Sequence, residues 1–326
     1  MDVNKNLFLN KKIILGKVNT TKDEIKRFKI TTDDILLTRT SETKKEIAYA
    51  SCLLDEVPNC VYSGFLLKAS PIKKELTYAP YITLLLHSPI YRNKLMKVST
   101  ETSRALINSD NLSRLNLLIP SITEQQKIFS LFSSLEIKIT NIEAKINILK
   151  KYKEGVFRII KRNTLNYIKL GDFCDLYQPK TIAQNLLKIN GKYPVYGANG
   201  IIGYYNDYNH ETSQVIVGCR GNCGAIQLTN TKSWINGNAM VIKPLNNIKL
   251  IYLYYLMHTI RFDKIIEKSS VPQITRDKMK TIKIPANFDN RILDMLILLD
   301  KKIELLQKEV KVFKKIKLQL LNVLFI

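Results

Sequence analysis

Ile119-Pro120-Ser121-Ile122-Thr123-Glu124-Gln125-Gln126-Lys127-Ile128 opens a run whose apolar residues then fall at Phe132, Leu135, Ile139, Ile142, Ile146 and Leu149, followed by Lys153, Val156 and Ile160. The steps alternate four and three, the spacing that lines one seam of a helix in a heptad repeat. A second stretch opens Ile284-Pro285-Ala286-Asn287-Phe288-Asp289-Asn290-Arg291-Ile292 and repeats the pattern 164 residues later. Its seam reads Leu296, Leu299, Ile303, Leu306, Val310, Phe313, then Lys317, then Leu320 and Leu324. Even the single lysine that interrupts the seam recurs. Agreement of this kind marks an internal duplication.

Each run covers 33 residues between its outer seam positions, roughly 50 Å of helix. Pro120 closes a strand-like stretch from Leu115 to Ile119, and Ser121-Ile122-Thr123-Glu124 is a capping-box pattern. In the second copy Pro285 holds the same place and Asn287 is the candidate cap. Asp289-Asn290 stands there in place of the Glu-Gln of the opening motif, a small weakening of the helix start. Gly155, inside the first helix, costs about 1 kcal/mol relative to alanine. The seam lysines read two ways, as stems snorkelling outward or as polar positions that set register. A long helix with one apolar seam is not stable alone in water. The two are therefore expected to pair with each other; an antiparallel pairing would put a globular domain at each end of a rod.

The expected fold class is α+β, with two globular α/β domains separated by two long helices that pair as an antiparallel coiled coil. The domains are expected at 1–120, 121–162, 163–285 and 286–326. Weaker similarity links the globular parts. Tyr81-Ile82 with Leu85-Leu86-His87 parallels Tyr252-Leu253 with Leu256-Met257-His258 at an offset of 171, and Ile107 to Leu112 parallels Ile274 to Met279 at 167. The heads are thus diverged copies of one domain. A scaffold kept alike with heads that differ suggests that each head reads something different.

The 326 residues hold 51 Lys and Arg against 28 Asp and Glu, a net charge of +23. An excess of that size favours a polyanionic partner, because each cation placed on a phosphate releases counterions; Lys-, Asn- and Ile-rich usage is also what an AT-rich genome produces. There is no run of about 18 apolar residues and no apolar signal core, so neither a membrane nor secretion is expected. Five cysteines without a disulfide rhythm fit a reduced, cytoplasmic setting.

The sequence carries no recognisable catalytic motif. No Gly-rich loop ends in Gly-Lys-Ser/Thr. Cys219 and Cys223 with His210 fall short of a zinc site in spacing and ligand number, and Glu-x-Lys pairs such as Glu24/Lys26 are expected by chance in so Lys-rich a chain. Contact candidates lie elsewhere. In the second head Tyr193 to Tyr204 is dense in Gly and Tyr, and a strand from Gln214 to Val217 runs into Gly218-Cys219-Arg220-Gly221-Asn222-Cys223-Gly224. Glycines let backbone approach a partner, and an arginine on such a turn reaches a phosphate or a guanine edge; an ordinary hairpin turn reads the same way. In the first head Asp34-Ile35-Leu36-Leu37-Thr38-Arg39-Thr40-Ser41 has the same form, which sets Arg39 against Arg220 at an offset of 181. The DNA-contact candidates are Arg39, Thr40, Ser41, Ser63, Thr102, Arg104 and Asn108 in the first head. In the second they are Lys180, Tyr196, Asn199, Arg220, Asn238, Gln273 and Thr275.

A head, a long helix opening Ile-Pro-x-x-x-Glu-Gln-Gln-Lys-Ile, a second head opening Ile168-Lys169-Leu170-Gly171-Asp172 and a matching second helix together resemble the specificity subunit of Type I restriction-modification systems. The order of parts is more specific than any one motif, and the likeness covers essentially the whole chain. The resemblance implies that each head reads one half of a bipartite double-stranded DNA target while the helical pair fixes the gap. It implies a bacterial defence role, with modification (methyltransferase) subunits carrying S-adenosylmethionine and restriction (translocase/nuclease) subunits using ATP and Mg²⁺ as partners. The specificity subunit itself is then non-catalytic, with no cofactor of its own. One departure stands out: the first head has no counterpart of the Lys-Leu-Gly-Asp start. The expectation is that this head lacks an N-terminal portion on the order of half a domain, leaving an exposed sheet edge. The alternative to full function is a half-functional or relic specificity subunit, serving as an interaction or recombination module.

Overall fold

The computed structural model describes residues 3, 6–14, 16–101, 103–245, 248–267, 270–286 and 289–325. It divides into two compact units, Met1–Ala144 with Leu306–Ile326, and Lys145–Leu305. Each unit holds one head and part of each long helix.

The first head runs β1 (Phe8–Leu9), α1 (Lys22–Phe28), β2 (Ile35–Thr38), β3 (Thr40–Ser41), β4 (Ala50–Leu53), β5 (Leu66–Ala69), α2 (Ala79–His87), α3 (Pro89–Val98), β6 (Thr100–Glu101), β7 (Ala105–Leu106) and α4 (Ser109–Ser113), and leads into α5 (Ile122–Asn163). Its main sheet has the order β1-β4-β2-β5, with a ribbon β3-β7-β6 beside it. Ile35-Leu36-Leu37-Thr38 is buried along its whole length because the sheet is covered on both faces. Ile35 and Leu37 join the core under α2, while Leu36 faces a second cluster with Leu9, Ile30 and Leu53, as the two-residue period of a strand requires.

The second head runs β8 (Tyr167–Lys169), α6 (Leu170–Phe173), β9 (Cys174–Tyr177), β10 (Tyr193–Gly197), β11 (Gly200–Tyr205), β12 (Val215–Gly218), β13 (Ile226–Leu228), β14 (Trp234–Ile235), β15 (Ala239–Pro244), α7 (Leu250–Met257), α8 (Arg276–Lys280) and β16 (Lys283–Pro285), and leads into α9 (Asn290–Val323). Its sheets are β13-β12-β15-β9, β11-β10-β14 and β16-β8. Val215 and Val217 face the core under α7, and Ile216 faces a cluster with Tyr196, Ile235 and Val241.

Three strands of the main sheet match between the two heads. Ile35, Leu36 and Leu37 pair with Cys52, Ser51 and Ala50 on one side and with Ala69, Lys68 and Leu67 on the other. Val215, Ile216 and Val217 pair in the same register with Leu228, Gln227 and Ile226, and with Ile242, Val241 and Met240. Thus β2, β4 and β5 correspond to β12, β13 and β15, joined in the same chain order. The duplication read from the helices extends through both sheets.

The long helices are continuous over 42 and 34 residues. Seam positions other than Leu324 are buried or half-buried, among them Phe132, Ile139, Ile142, Ile146, Val156 and Ile160, and Leu296, Ile303, Leu306 and Val310. Within the first unit Glu136 pairs with Lys317, and Glu143 with Lys314 at 2.7 Å; the partner number falls as the residue number rises, so the helices run antiparallel. Within the second unit Lys153 reaches both carboxylate oxygens of Asp300 at 2.6 Å, and Tyr255 donates to the same group at 2.7 Å. The seam lysines are therefore ion-paired across the helices rather than merely snorkelling. Shifting Glu136 and Lys153 by 164 gives Asp300 and Lys317, so one cross-helix pair occurs twice. At the start of α5, Ser121 Oγ accepts from Glu124 N at 3.4 Å and donates to its carboxylate at 3.2 Å. Asn287 lies outside the described residues. The backbone N–H of Arg291 is instead held by Asp289 Oδ1 at 2.8 Å.

Candidate nucleic-acid interface

In the second head five loops converge at the end of β12. Cys219 N donates to Asn238 O at 2.9 Å, Ile274 N to Cys219 O at 2.8 Å, and Gly221 N to Pro272 O at 2.9 Å. Gln178 Nε2 approaches Cys219 Sγ at 3.0 Å. Two glycines permit the close approach. A Cβ on Gly218 would lie 2.3 Å from the carbonyl oxygens of Ala198 and Asn222, and one on Gly237 would lie 2.6 Å from Thr181 Oγ1 and 2.9 Å from Pro179 O. The segments 178–181, 198–199, 218–224, 236–238 and 271–275 are thereby knitted together by backbone contacts, which frees side chains to point outward.

Most candidates of this head lie there. Lys180, Asn199, Arg220 and Asn238 are exposed, while Gln273 and Thr275 are half-buried. Arg220 forms a bridge with Gln273, whose amide donates to Glu267 at 3.2 Å. Thr275 stands at the N-cap position of α8 without a side-chain capping hydrogen bond, and the exposed Arg276 follows it. Arg276 is not among the sequence-based candidates, although a basic residue directly after a Thr at a helix start is a usable signal. Tyr196 is placed otherwise. It is 6% exposed, packs with Ile216 and Ile235, and its hydroxyl accepts from Asn230 N at 3.1 Å, so this side chain is committed to the core. His210 is hydrogen-bonded to Tyr177 at 2.9 Å, and among the described residues no group of three or more metal-binding side chains forms.

The first head repeats the arrangement on a smaller scale. Arg39 N donates to Phe65 O at 3.1 Å and Ile107 N to Arg39 O at 3.0 Å, while Thr40 and Ser41 pair with Leu106 and Ala105. Arg39, Ser63 and Arg104 are exposed, and Thr40 and Ser41 half-buried. Phe65, 77% exposed beside them, was not singled out from the sequence. Asn108 spends its side chain on capping α4, accepting from Asn111 N at 2.8 Å. Thr102 lies outside the described residues. The hydrogen bonds also correct one equivalence. The bond from Ile107 N to Arg39 O matches that from Ile274 N to Cys219 O, so Arg39 corresponds to Cys219 and Thr40 to Arg220. The offset is 180, not 181.

Comparison with known proteins follows the same lines. Residues 163–314 match the family described as Type I restriction modification DNA specificity domain. The chain is 24% identical over 110 residues to the Type I restriction enzyme EcoprrI specificity subunit of Escherichia coli, covering 33% of this chain and 27% of that protein. It is 27% identical over 103 residues to a Haemophilus influenzae protein described as a type I restriction enzyme specificity subunit, covering 30% of this chain and 27% of the relative. These matches thus span about a quarter of each curated relative. The fold resembles that of a Type-I restriction-modification S subunit from M. genitalium, with a TM-score of 0.62 at 16% identity over 90% of this chain and 83% of that one. A second structure, from work on assembly and conformational transition of a type I R-M system, gives 0.55 at 14% identity over 90% and 81%. With residues 163–314 matching the family model for the Type I restriction modification DNA specificity domain and the fold shared over most of its length, this chain is similar to the specificity subunits of Type I restriction-modification systems.

Proposed function

We propose that the chain is the DNA-recognition subunit of a Type I restriction-modification complex, each head reading one half of a bipartite duplex target. The observation that carries this reading is the repeated apparatus at the ends of β2 and β12. Equivalent backbone bonds hold Arg39-Thr40-Ser41 in one head and Cys219-Arg220 in the other against equivalent second segments, on a chain of net charge +23. The same scaffold displays different side chains, as two half-sites of different sequence require. Methylation and cleavage then belong to modification and restriction subunits that dock on this chain, and S-adenosylmethionine, ATP and Mg²⁺ to those partners. No described helix is long and apolar enough to cross a membrane.

Selection of duplexes from a random library by the chain, alone and with a modification subunit, tests this. A two-part motif with a fixed gap is expected. Arg220→Ala should weaken binding by about 1–3 kcal/mol and relax one half only, whereas Arg39→Ala should act on the other half. Enrichment of one half-site would support the half-functional reading. The proposal is lost if no sequence is enriched, or if the pure chain turns over DNA.

A further inference from the structure

We propose that the first head contains a docking groove for a polypeptide segment of the Tyr167–Tyr177 kind, strand, single turn and strand, supplied from outside residues 1–326.

The second head shows what such a segment does. Tyr167-Ile168-Lys169 pairs with β16, setting Ile168 opposite Ile284. Leu170 N donates to Ile282 O at 2.8 Å. The segment then turns and pairs as β9 with β15, setting Leu176 opposite Ile242. Leu170, Cys174 and Leu176 are at most 1% exposed in the core. Eleven residues close one sheet edge, pair the strand ahead of the long helix and fill the space between.

The first head presents counterparts of both receiving stretches without that segment. By register β5 is the counterpart of β15, and even Pro71 falls where Pro244 does. Among the described residues no strand pairs with the outer edge of β5. Ala69 is exposed where Ile242 is fully buried. The counterpart of Ile282 to Pro285 is Leu117 to Pro120, which forms no strand. Leu118 is 73% and Ile119 37% exposed, whereas Ile284 is 0% exposed. Between β5 and the Leu117–Ile119 run lies a cavity of about 150 Å³ lined by Ile35, Ala69, Ile82, Leu117 and Ile119. That is the position of Leu170 and Leu176 in the other head. An unpaired edge, an unpaired strand-like run and an apolar hollow therefore meet at one place, each matched to one part of the same segment.

The occupant is not a second copy of this chain. In the copy, the residues that would have to insert are already sealed in its own second head, at 0–1% exposure, and releasing them would unfold that head. A separate segment with the pattern apolar-x-Leu-Gly-Asp-x-apolar-x-Leu fits instead. It would add backbone hydrogen bonds along β5 and Leu117–Ile119 and bring apolar side chains into the hollow.

The test is titration of the full chain with a fluorescein-labelled peptide, Asn166 to Pro179 of this sequence, read by anisotropy and by amide hydrogen exchange. Saturable one-to-one binding is expected, with exchange slowed at residues 66–72 and 116–119. Replacing Leu170→Asp and Leu176→Asp in the peptide, or the exposed Ile119→Asp in the protein, should weaken binding at least about tenfold. Circular dichroism of the Ile119→Asp chain checks that it remains folded, and the peptide variants need no such check. The proposal is overturned by absence of binding at roughly millimolar peptide. It is equally overturned by protection confined to the second head, or by concentration-dependent dimerisation that protects residues 66–72 and 116–119 without peptide.

Discussion

Gln125 is fully buried at the first turn of α5, and each of its polar atoms is used. Its Oε1 accepts from Tyr78 N at 2.9 Å, and its Nε2 donates to Leu76 O and Pro120 O, both at 2.9 Å. One side chain thus fastens the long helix to the loop ahead of α2. The Glu-Gln-Gln of the opening motif is therefore not only a capping signal. Truncation leaves a buried amide and two carbonyls without partners, so Gln125→Ala should cost about 1–3 kcal/mol or more. Gln125→Glu should cost at least as much, because a carboxylate would face two carbonyl oxygens. Urea denaturation of the two variants checks this, and an unchanged midpoint in both would refute it. In the second copy Asp289 occupies the matching position, 164 residues on, and is exposed. The same scale shows where sequence reading failed. Tyr196 was placed among the DNA-contact candidates because it sits in a Gly- and Tyr-rich strand. A register shift between Val195 and Tyr196 in the β10–β11 pair breaks the two-residue alternation, and Val195, Tyr196 and Gly197 are all buried.

Among the elements, the long helices were the most legible, because a seven-residue seam repeated over ten positions leaves little else for the chain to do. What the spacing left open was the role of the lysines that break it. Lys153 has 15% of its side chain exposed and Asp300 35%, whereas Lys317 and Glu136 stand at 21% and 48%. Lys153 also lies 5.3 Å from the Tyr255 ring centroid. Lys153→Met strands a carboxylate in the drier of the two sites and should cost about 1–2 kcal/mol, discounted for its partial exposure. Lys317→Met should cost less. Thermal melts that reversed this order would show that the two copies are not graded by burial. Gly155 gives a prediction of the opposite sign. A Cβ there would meet nothing within 4 Å, so Gly155→Ala should stabilise the helix by up to about 1 kcal/mol and raise the melting temperature. The strands of the heads were only partly legible. Apolar runs such as Ile35 to Leu37 announced themselves, but their partners did not. The one-residue error in matching Arg39 to Arg220 came from aligning like residues, whereas equivalence is set by hydrogen-bond register.

Across the whole molecule the duplication places one half-buried histidine at the same point of each head, His87 at the end of α2 and His258 just past α7, 171 positions apart. His87 Nε2 lies 2.8 Å from Ala50 O and its ring stacks on Tyr49. His258 stacks on Phe157, and its Nε2 is buried without a hydrogen-bond partner. Burial pushes both down to about 4, with Arg92 and Lys317 adding to the effect at His87 and Lys153 at His258. Both are therefore neutral in the folded chain at pH 7, whereas in the unfolded chain a histidine titrates near 6.5. Between roughly pH 6.5 and 4 the unfolded state binds more protons, so stability is present above that window and is lost as pH falls through it. Because each unit carries one member of the pair, both halves should weaken over the same interval. Urea midpoints measured from pH 7.5 down to pH 4 should fall steeply. The fall should be shallower in His87→Gln and His258→Gln and shallowest in the double variant, whatever those substitutions cost at neutral pH. A decline equally steep in the double variant would assign the acid lability to the carboxylates, chiefly Asp34, which Ser70, Thr31 and Lys68 hold below its ordinary value, and would refute the account of the histidines as half-buried neutral groups.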